Sequence, residues 1–451
     1  MVLAADAVDA AQERLLHGAR NFVFERMRRK RDVALEPECF MTAWARTPGH
    51  ARLRRLDRGG WRAEPARLVA RARDAFHWLR TPGFALSQSA TPGDYDSLII
   101  TWALPGDFDS TGNHRDRYLG LSTAETPRTL WLLLMIDGAP TTNPAPNIRM
   151  IYKRNRAGAT SWPPSVNLNL ISNARATRPR ARGFSAIVAQ AHAVAEAVSI
   201  EFRRFPVRRV IVPYEGQPFQ HALMLAVKRE RPQTETVGYM HAVLPSLPTD
   251  YVYRDGAPDC LLVNGEGQAE ILREYLGWPT DKVRAVPSLR YMREPEPPFG
   301  GHILLPYDCD PPAVVTAFEA YVRASPKASM PAWLARLHPV MARNPKHLGL
   351  ARQLAEIMAR HEDRTSTRAE FSRQALVFGG TAAVLEALER SFDVIHLCAT
   401  PLFEKHSARV WRHLDVEDLG GGAFRYRLRT PGAYIKFGQP GHGAALLGID
   451  S

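Results

Sequence analysis

Cysteine is scarce in this chain: there are four in 451 residues, and Cys39, Cys260, Cys309 and Cys398 form no CxxC pair. Neither a disulfide framework nor a cysteine-based zinc site is expected. Long apolar runs are missing as well. The longest, Leu130 to Ile136, is too short to cross a bilayer, and Met1-Val2-Leu3-Ala4-Ala5-Asp6 lacks the basic-then-apolar pattern of a secretion signal. The expected location is the cytoplasm. A Walker phosphate loop, a GxGxxG fingerprint, HExxH and GxSxG are all absent, which removes most nucleotide hydrolases, dehydrogenases and esterases. No acidic cluster suits a metal, so no metal and no cofactor are expected. Internal repeats, low-complexity tracts and RNA-binding signatures are also lacking, and nucleic acid is not an expected partner.

The composition, 45% hydrophobic and 23% charged, is that of a folding chain, and its length exceeds what one core supports, so two domains are expected. The formal charge of +13 fits nucleic acid, an anionic surface or an anionic substrate, or the arginine-rich usage of a GC-rich coding sequence. Its densest cluster, Arg26-Met27-Arg28-Arg29-Lys30-Arg31, lies near Phe22, Phe24 and Leu16. Such a helix could rest peripherally on anionic headgroups, or simply be solvated.

Along the chain, residues 1–90 read as a helical, basic N-terminal region. Residues 91–292 contain strand patterns at Leu98–Trp102, Leu130–Ile136 and Ile148–Tyr152, then a helix over Gly183–Phe205. A regular strand–helix alternation follows from Val210 to Val286. Residues 293–301, rich in Pro and Gly, read as a linker. Alternation restarts over 302–451 with strands at His302–Pro306, Trp333–Leu337, Ala375–Phe378 and Val394–Leu397, and ends in a β-hairpin joining 424–428 to 433–437 around Thr430-Pro431-Gly432. The fold class is α/β: two Rossmann-like units with parallel sheets and a cleft between the carboxyl ends of their strands.

Two islands carry the chemistry. In Arg209-Val210-Ile211-Val212-Pro213-Tyr214-Glu215-Gly216, a buried strand delivers a carboxylate to its carboxyl end, where it could take a proton from a hydroxyl. A helix-start acid is the plainer explanation for Glu215. Gly238-Tyr239-Met240-His241 ends the next strand, which sets His241 at the same edge as a candidate substrate contact. In the second island Gly379-Gly380-Thr381 opens a helix, an arrangement suited to phosphate, or equally a threonine cap after a glycine turn. Glu386 on that helix could reach a ribose or be a surface acid. His338-Pro339 closes another strand and could serve a phosphate oxygen, with Arg336 or Arg343 adding charge.

Taken in order, Tyr214-Glu215-Gly216, His338-Pro339 and Gly380-Thr381 are similar to the three motifs of bacterial sialyltransferases and polysialyltransferases. Glu215-Gly216-Gln217-Pro218 with Gly238-Tyr239-Met240-His241 also resembles surface carbohydrate biosynthesis proteins of Gram-negative bacteria. The chain departs from the pattern at Tyr214, where the motif has a first acid, and at Ala382, where it has a second hydroxyl. The resemblance implies a GT-B glycosyltransferase whose first sheet binds the acceptor and whose second binds the nucleotide sugar. It further implies Glu215 as base, His338 and Thr381 on the nucleotide phosphate, and a CMP-linked acidic sugar (sialic acid-like or Kdo-like) moved to a surface glycan. A UDP-, GDP- or CDP-linked donor, an epimerase and a polyol-phosphate transferase stay open. More distant is a non-catalytic basic protein binding nucleic acid or membrane.

Overall fold

The computed structural model describes residues 5–29, 36–42, 48–58, 84–87, 93–136, 142–153, 165–167, 186–292, 300–338 without 308 and 328, 341–366 and 373–449, with isolated positions between 68 and 76. Two α/β sheets form the frame of a two-unit, GT-B-like architecture. The first has nine strands among the described residues, in the order β5-β1-β4-β3-β2-β6-β7-β8-β9. Its centre is β2 (Ser97–Ala103), β3 (Thr129–Met135) and β6 (Arg209–Pro213). These strands read as unbroken apolar runs because parallel strands are covered on both faces. Beyond β6 lie β7 (Glu235–Tyr239), β8 (Cys260–Val263) and β9 (Val283–Ala285). On the other side, β4 (Ile148–Lys153) meets β1 (Phe84–Ser87) antiparallel, and β1 meets β5 (Ser165–Asn167) antiparallel. The sheet is therefore mixed at one edge, and the chain enters it inside the stretch expected to be purely helical.

The second sheet runs β11-β10-β12-β13-β15-β14. Here β10 (Gly301–Leu305), β11 (Trp333–Leu337), β12 (Gln374–Phe378) and β13 (Asp393–Leu397) are parallel, each within a residue or two of its sequence-based bounds. The hairpin is corrected. Strand β15 (Ala423–Leu428) pairs with β14 (Leu414–Gly420) through a glycine turn, not with 433–437. Residues 420–422 all hold positive φ, the geometry glycine supplies without steric cost. The following segment instead returns to the first sheet: Lys436 N–H donates to the Asn264 carbonyl at 2.7 Å, and Ser288 N–H to the Lys436 carbonyl at 2.8 Å. Leu447 and Ile449 then join the core beneath Ile99, Trp131 and Ile211. The expected unit 302–451 thus ends its own sheet near Leu428, and the tail belongs to the first unit.

Most of the linker, 293–299, lies outside the described residues. The two units nevertheless share one hydrophobic core, which runs from Leu98, Val210 and Leu244 to Val377, Val384 and Trp411. A continuous apolar interface of this kind holds domains in one arrangement, so free hinge closure about the linker is not what the packing favours. The N-terminal helix α1 (Ala5–Arg28) straddles both units. Its Leu15, Leu16, Ala19 and Val23 are buried, Phe24 lies against Gly277, and Phe22 sits under the guanidinium groups of Arg26 and Arg52 at 4.8 and 4.5 Å. The apolar side that a lipid surface would need is therefore covered by protein. Among the described residues no helix is long and apolar enough to cross a membrane.

Candidate functional site

Strand order decides where a site can form. From β2 the chain winds toward β3 and β4; from β6 it winds the other way, toward β7, β8 and β9. The reversal falls between β2 and β6, the crevice where α/β sheets bind ligands. Glu215 follows β6 and His241 follows β7, and their side chains meet, with His241 Nε2 at 3.3 Å from Glu215 Oε1.

The loop that presents Glu215 is built by its neighbours. Buried Gln220, on helix α4 (Pro218–Glu230; α2, Pro48–Arg58, and α3, Ala186–Arg204, precede it), accepts Glu215 N–H at 2.9 Å and Gln217 N–H at 3.0 Å, and donates to the Pro213 carbonyl at 2.6 Å. Gln220 thus serves the helix start, which disfavours the plainer helix-start role for Glu215. Gly216 holds φ +66°, and a Cβ there would stand 2.5 Å from the Asp250 carbonyl oxygen. Its own carbonyl accepts from buried Arg254. Tyr214, in the place of the motif's first acid, points the opposite way into the core, with its hydroxyl 3.0 Å from His221 Nε2.

Burial pushes Glu215 above the ordinary carboxylate value of 4.5, opposed by a hydrogen bond from Gln217 and by the charge of Arg290. The Glu215 side chain is recessed among protein atoms yet keeps 32% exposure. Burial and Arg290 push His241 down to about 3. At neutral pH the carboxylate therefore meets a neutral imidazole and the contact is not an ion pair, and His241 Nδ1 is a buried atom with no partner. Were Glu215 to act as a base, its protonation would set an acid limb in kcat/KM above pH 4.5, because a base works only when ionised and its raised pKa moves the loss upward. His241 has already lost its proton over that range. The limb should persist in His241→Gln; its disappearance there would transfer the base role to the imidazole.

Three neighbours escaped the sequence reading. Trp102, near the end of β2, has its ring centroid 6.3 Å from His241, and Tyr118 stands edge-on to His241 at 4.4 Å. Asp116 holds the Tyr118 loop. It accepts N–H groups of Tyr118 and Leu119 at 2.8 and 2.5 Å and the Thr101 hydroxyl at 2.6 Å, and burial raises its carboxyl to about 6. The third is Arg290, just after β9, whose charge acts on Glu215, His241 and Tyr118 and also on His338 in the second unit. Trp102 could be found as a strand-end aromatic; Tyr118 and Arg290 lie in irregular segments with no local signal.

The second sheet reverses its winding between β10 and β12. A cavity of about 510 Å³ opens there, lined by Asp310, Gly379, Gly380 and Thr400, with Ser246 of the first unit and Arg54 of α2. Gly379 has φ +70°, and a Cβ on Gly380 would come within 3.2 Å of the Phe403 carbonyl and 3.7 Å of Ser246 Oγ. The Gly379 carbonyl is 2.7 Å from His396 Nε2. Thr381 does not line the cavity; its hydroxyl accepts Ala383 N–H at 3.2 Å, at the start of the short helix Ala383–Glu389, whose N-cap is Ala382. His338 ends β11 against Tyr307, at 5.7 Å, and Glu386 lies 3.9 Å from Arg390 Nε and within electrostatic reach of Tyr291. Neither lines the cavity, and Pro339 is outside the described residues. The expected donor residues therefore divide: Gly379 and Gly380 wall the cavity, while His338, Thr381 and Glu386 stand elsewhere along the second unit.

The two edges face each other. Ser246, at the end of the loop that begins with His241, donates its hydroxyl to the Phe403 carbonyl at 2.9 Å, and Trp411 Nε1 donates to the Ser246 carbonyl at 3.1 Å. Among the described residues no three His, Cys, Asp or Glu side chains gather as a metal site.

No protein-family model and no curated protein matches this chain. Solved structures with some likeness include S. aureus MnaA in a co-structure with UDP, 13% identical, covering 66% of this chain and 78% of that one with a TM-score of 0.35. A UDP-GlcNAc 2-epimerase from Neisseria meningitidis bound to UDP-GlcNAc is 9% identical, with 67% and 82% covered and a TM-score of 0.34. The N-terminal domain of Candida albicans trehalose-6-phosphate phosphatase is 9% identical, with 72% and 90% covered and a TM-score of 0.34. Likeness of this size transfers no ligand or activity to the chain.

Proposed function

We propose that the protein is a glycosyltransferase that uses a nucleotide sugar. The supporting observation is the pairing of a recessed Glu215–His241 couple at one sheet's reversal point with a polar, glycine-walled cavity at the reversal point of the facing sheet. In this reading an acceptor hydroxyl sits over Glu215 and His241 and loses its proton to Glu215 as its oxygen attacks the anomeric carbon. The bond to the phosphate oxygen breaks, the electron pair leaves with the nucleotide, and one displacement inverts the centre. The cavity beside Gly379 and Gly380 takes the nucleotide. Preorganised donors there act on the charge that grows as the bond breaks. The motif order favours a CMP-linked acidic sugar, a surface-glycan acceptor and no metal. Any membrane contact would rest on charge alone, since the apolar side of α1 is covered.

Thermal-shift titration against CMP, UDP, GDP and CDP tests the reading. A ligand at a hundred times its Kd adds about 2.7 kcal/mol of stability. Stabilisation by CMP is expected; stabilisation by UDP alone would redirect the donor class toward epimerase or other transferase chemistry, and none by any nucleotide would end the reading.

A further inference from the structure

Arg290 sits on a turn beside the Glu215 site. Its backbone is pinned from three directions: Ser288 Oγ accepts N–H groups of Arg290 and Tyr291 at 3.2 and 2.9 Å, the Tyr239 hydroxyl accepts Leu289 N–H at 2.8 Å, and the Leu289 carbonyl lies 3.2 Å from where a Cβ on Gly120 would be. Tyr239 leads into His241, and Gly120 follows Tyr118. The turn that carries Arg290 is therefore fastened to both segments that wall the Glu215 site. Its side chain is exposed, its guanidinium carbon is 5.4 Å from the Tyr291 ring, and it forms no ion pair with any described residue. Arg149 and Arg209 of the first unit, by contrast, pair with Glu201 and Glu235, each at 2.7 Å.

A guanidinium without a carboxylate partner, on a turn fastened to both segments that wall the Glu215 site, can take an anion from the ligand. We propose that Arg290 is the residue that binds the donor's oxyanion at the reacting centre, beside the bond that breaks. This deepens the glycosyl-transfer reading and rests on it. The oxyanion is the phosphate of the nucleotide or the carboxylate of an acidic sugar; both match the planar fork of an arginine. The field of Arg290 supports the placement, since it lowers Glu215, His241 and His338 alike.

Calorimetric titration of the full chain with CMP and with free sialic acid, in wild type, Arg290→Gln and Arg290→Lys, tests the proposal. Loss of one charge-assisted contact should weaken binding about 10- to 100-fold in Arg290→Gln, with partial recovery in Arg290→Lys. Weakened CMP binding identifies the phosphate; CMP binding retained with sialic acid weakened identifies the carboxylate. A second readout separates this role from a merely structural one. The acid limb of kcat/KM should move to higher pH in Arg290→Gln, because the cation that holds Glu215 down is gone while His241, Gln217, Tyr118 and Tyr251 still face it. Equal affinity for both ligands in wild type and Arg290→Gln overturns the Arg290 assignment alone. Absence of nucleotide binding in wild type overturns it together with the reading beneath it.

Discussion

Glu215→Gln should lower turnover at least about a hundredfold, the scale of a lost general base, while nucleotide affinity stays at the wild-type value. The two halves of that expectation come from separate places in the molecule. Glu215 is held over the first sheet by Gln220 and faces His241, whereas the glycine-walled cavity belongs to the second sheet and to Arg54 and Ser246. The amide keeps the size of the side chain and loses only its capacity to take a proton. Transfer rate and calorimetric affinity, measured on one preparation with the nucleotide found by thermal shift, check it. Turnover within a factor of a few of wild type would remove Glu215 from the chemistry.

Asp9→Ala should cost about 3 kcal/mol or more of unfolding free energy. Lys405 is buried, at 1% side-chain exposure, and its ammonium is 2.5 Å from Asp9 Oδ1, itself 8% exposed. Truncation strips the carboxylate from a charge that cannot reach water. The same helix donates from Gln12 to the Leu402 and Lys405 carbonyls at 3.0 and 2.7 Å, so α1 clasps the turn that follows β13 and borders the cavity. Urea unfolding measures the loss. A change below about 1 kcal/mol, the worth of an exposed pair, would mean that α1 does not hold the second unit in solution.

Much of the frame was legible because burial on both faces writes itself as continuous apolar sequence, as in Leu130–Ile136 and Val210–Val212, and because amphipathic helices repeat at their own period. The hairpin was misread for the opposite reason. Strand β14 is an exposed edge carrying Asp415, Glu417 and Asp418, and its apolar alternation lasts only from Leu414 to Glu417 before the irregularity at Asp418 and Gly420, so it reads as loop. Its partner strand supplies what specifies it, with Arg425 within 3.5 Å of Glu417. The Pro431-Gly432 turn looked as good locally, yet 433–437 finds better burial against the first unit.

Glu215 and His241 could be set at one edge from sequence, since each ends a buried strand and neighbouring strands share an edge. Their contact with Trp102, Tyr118 and Arg290 could not. Those residues come from β2, an irregular loop and the segment after β9, and nothing local records that β2 lies beside β6.

By itself, then, the sequence determined the strands, the helices and which of their ends carry chemistry, because hydrophobic periodicity and turn residues act over a few positions. Only the tertiary structure decided which ends meet, where the cavity opens and that Arg290 is left without a carboxylate. Strand order and charge pairing are settled by contacts between residues far apart in the chain, and those contacts exist only once the two sheets have packed.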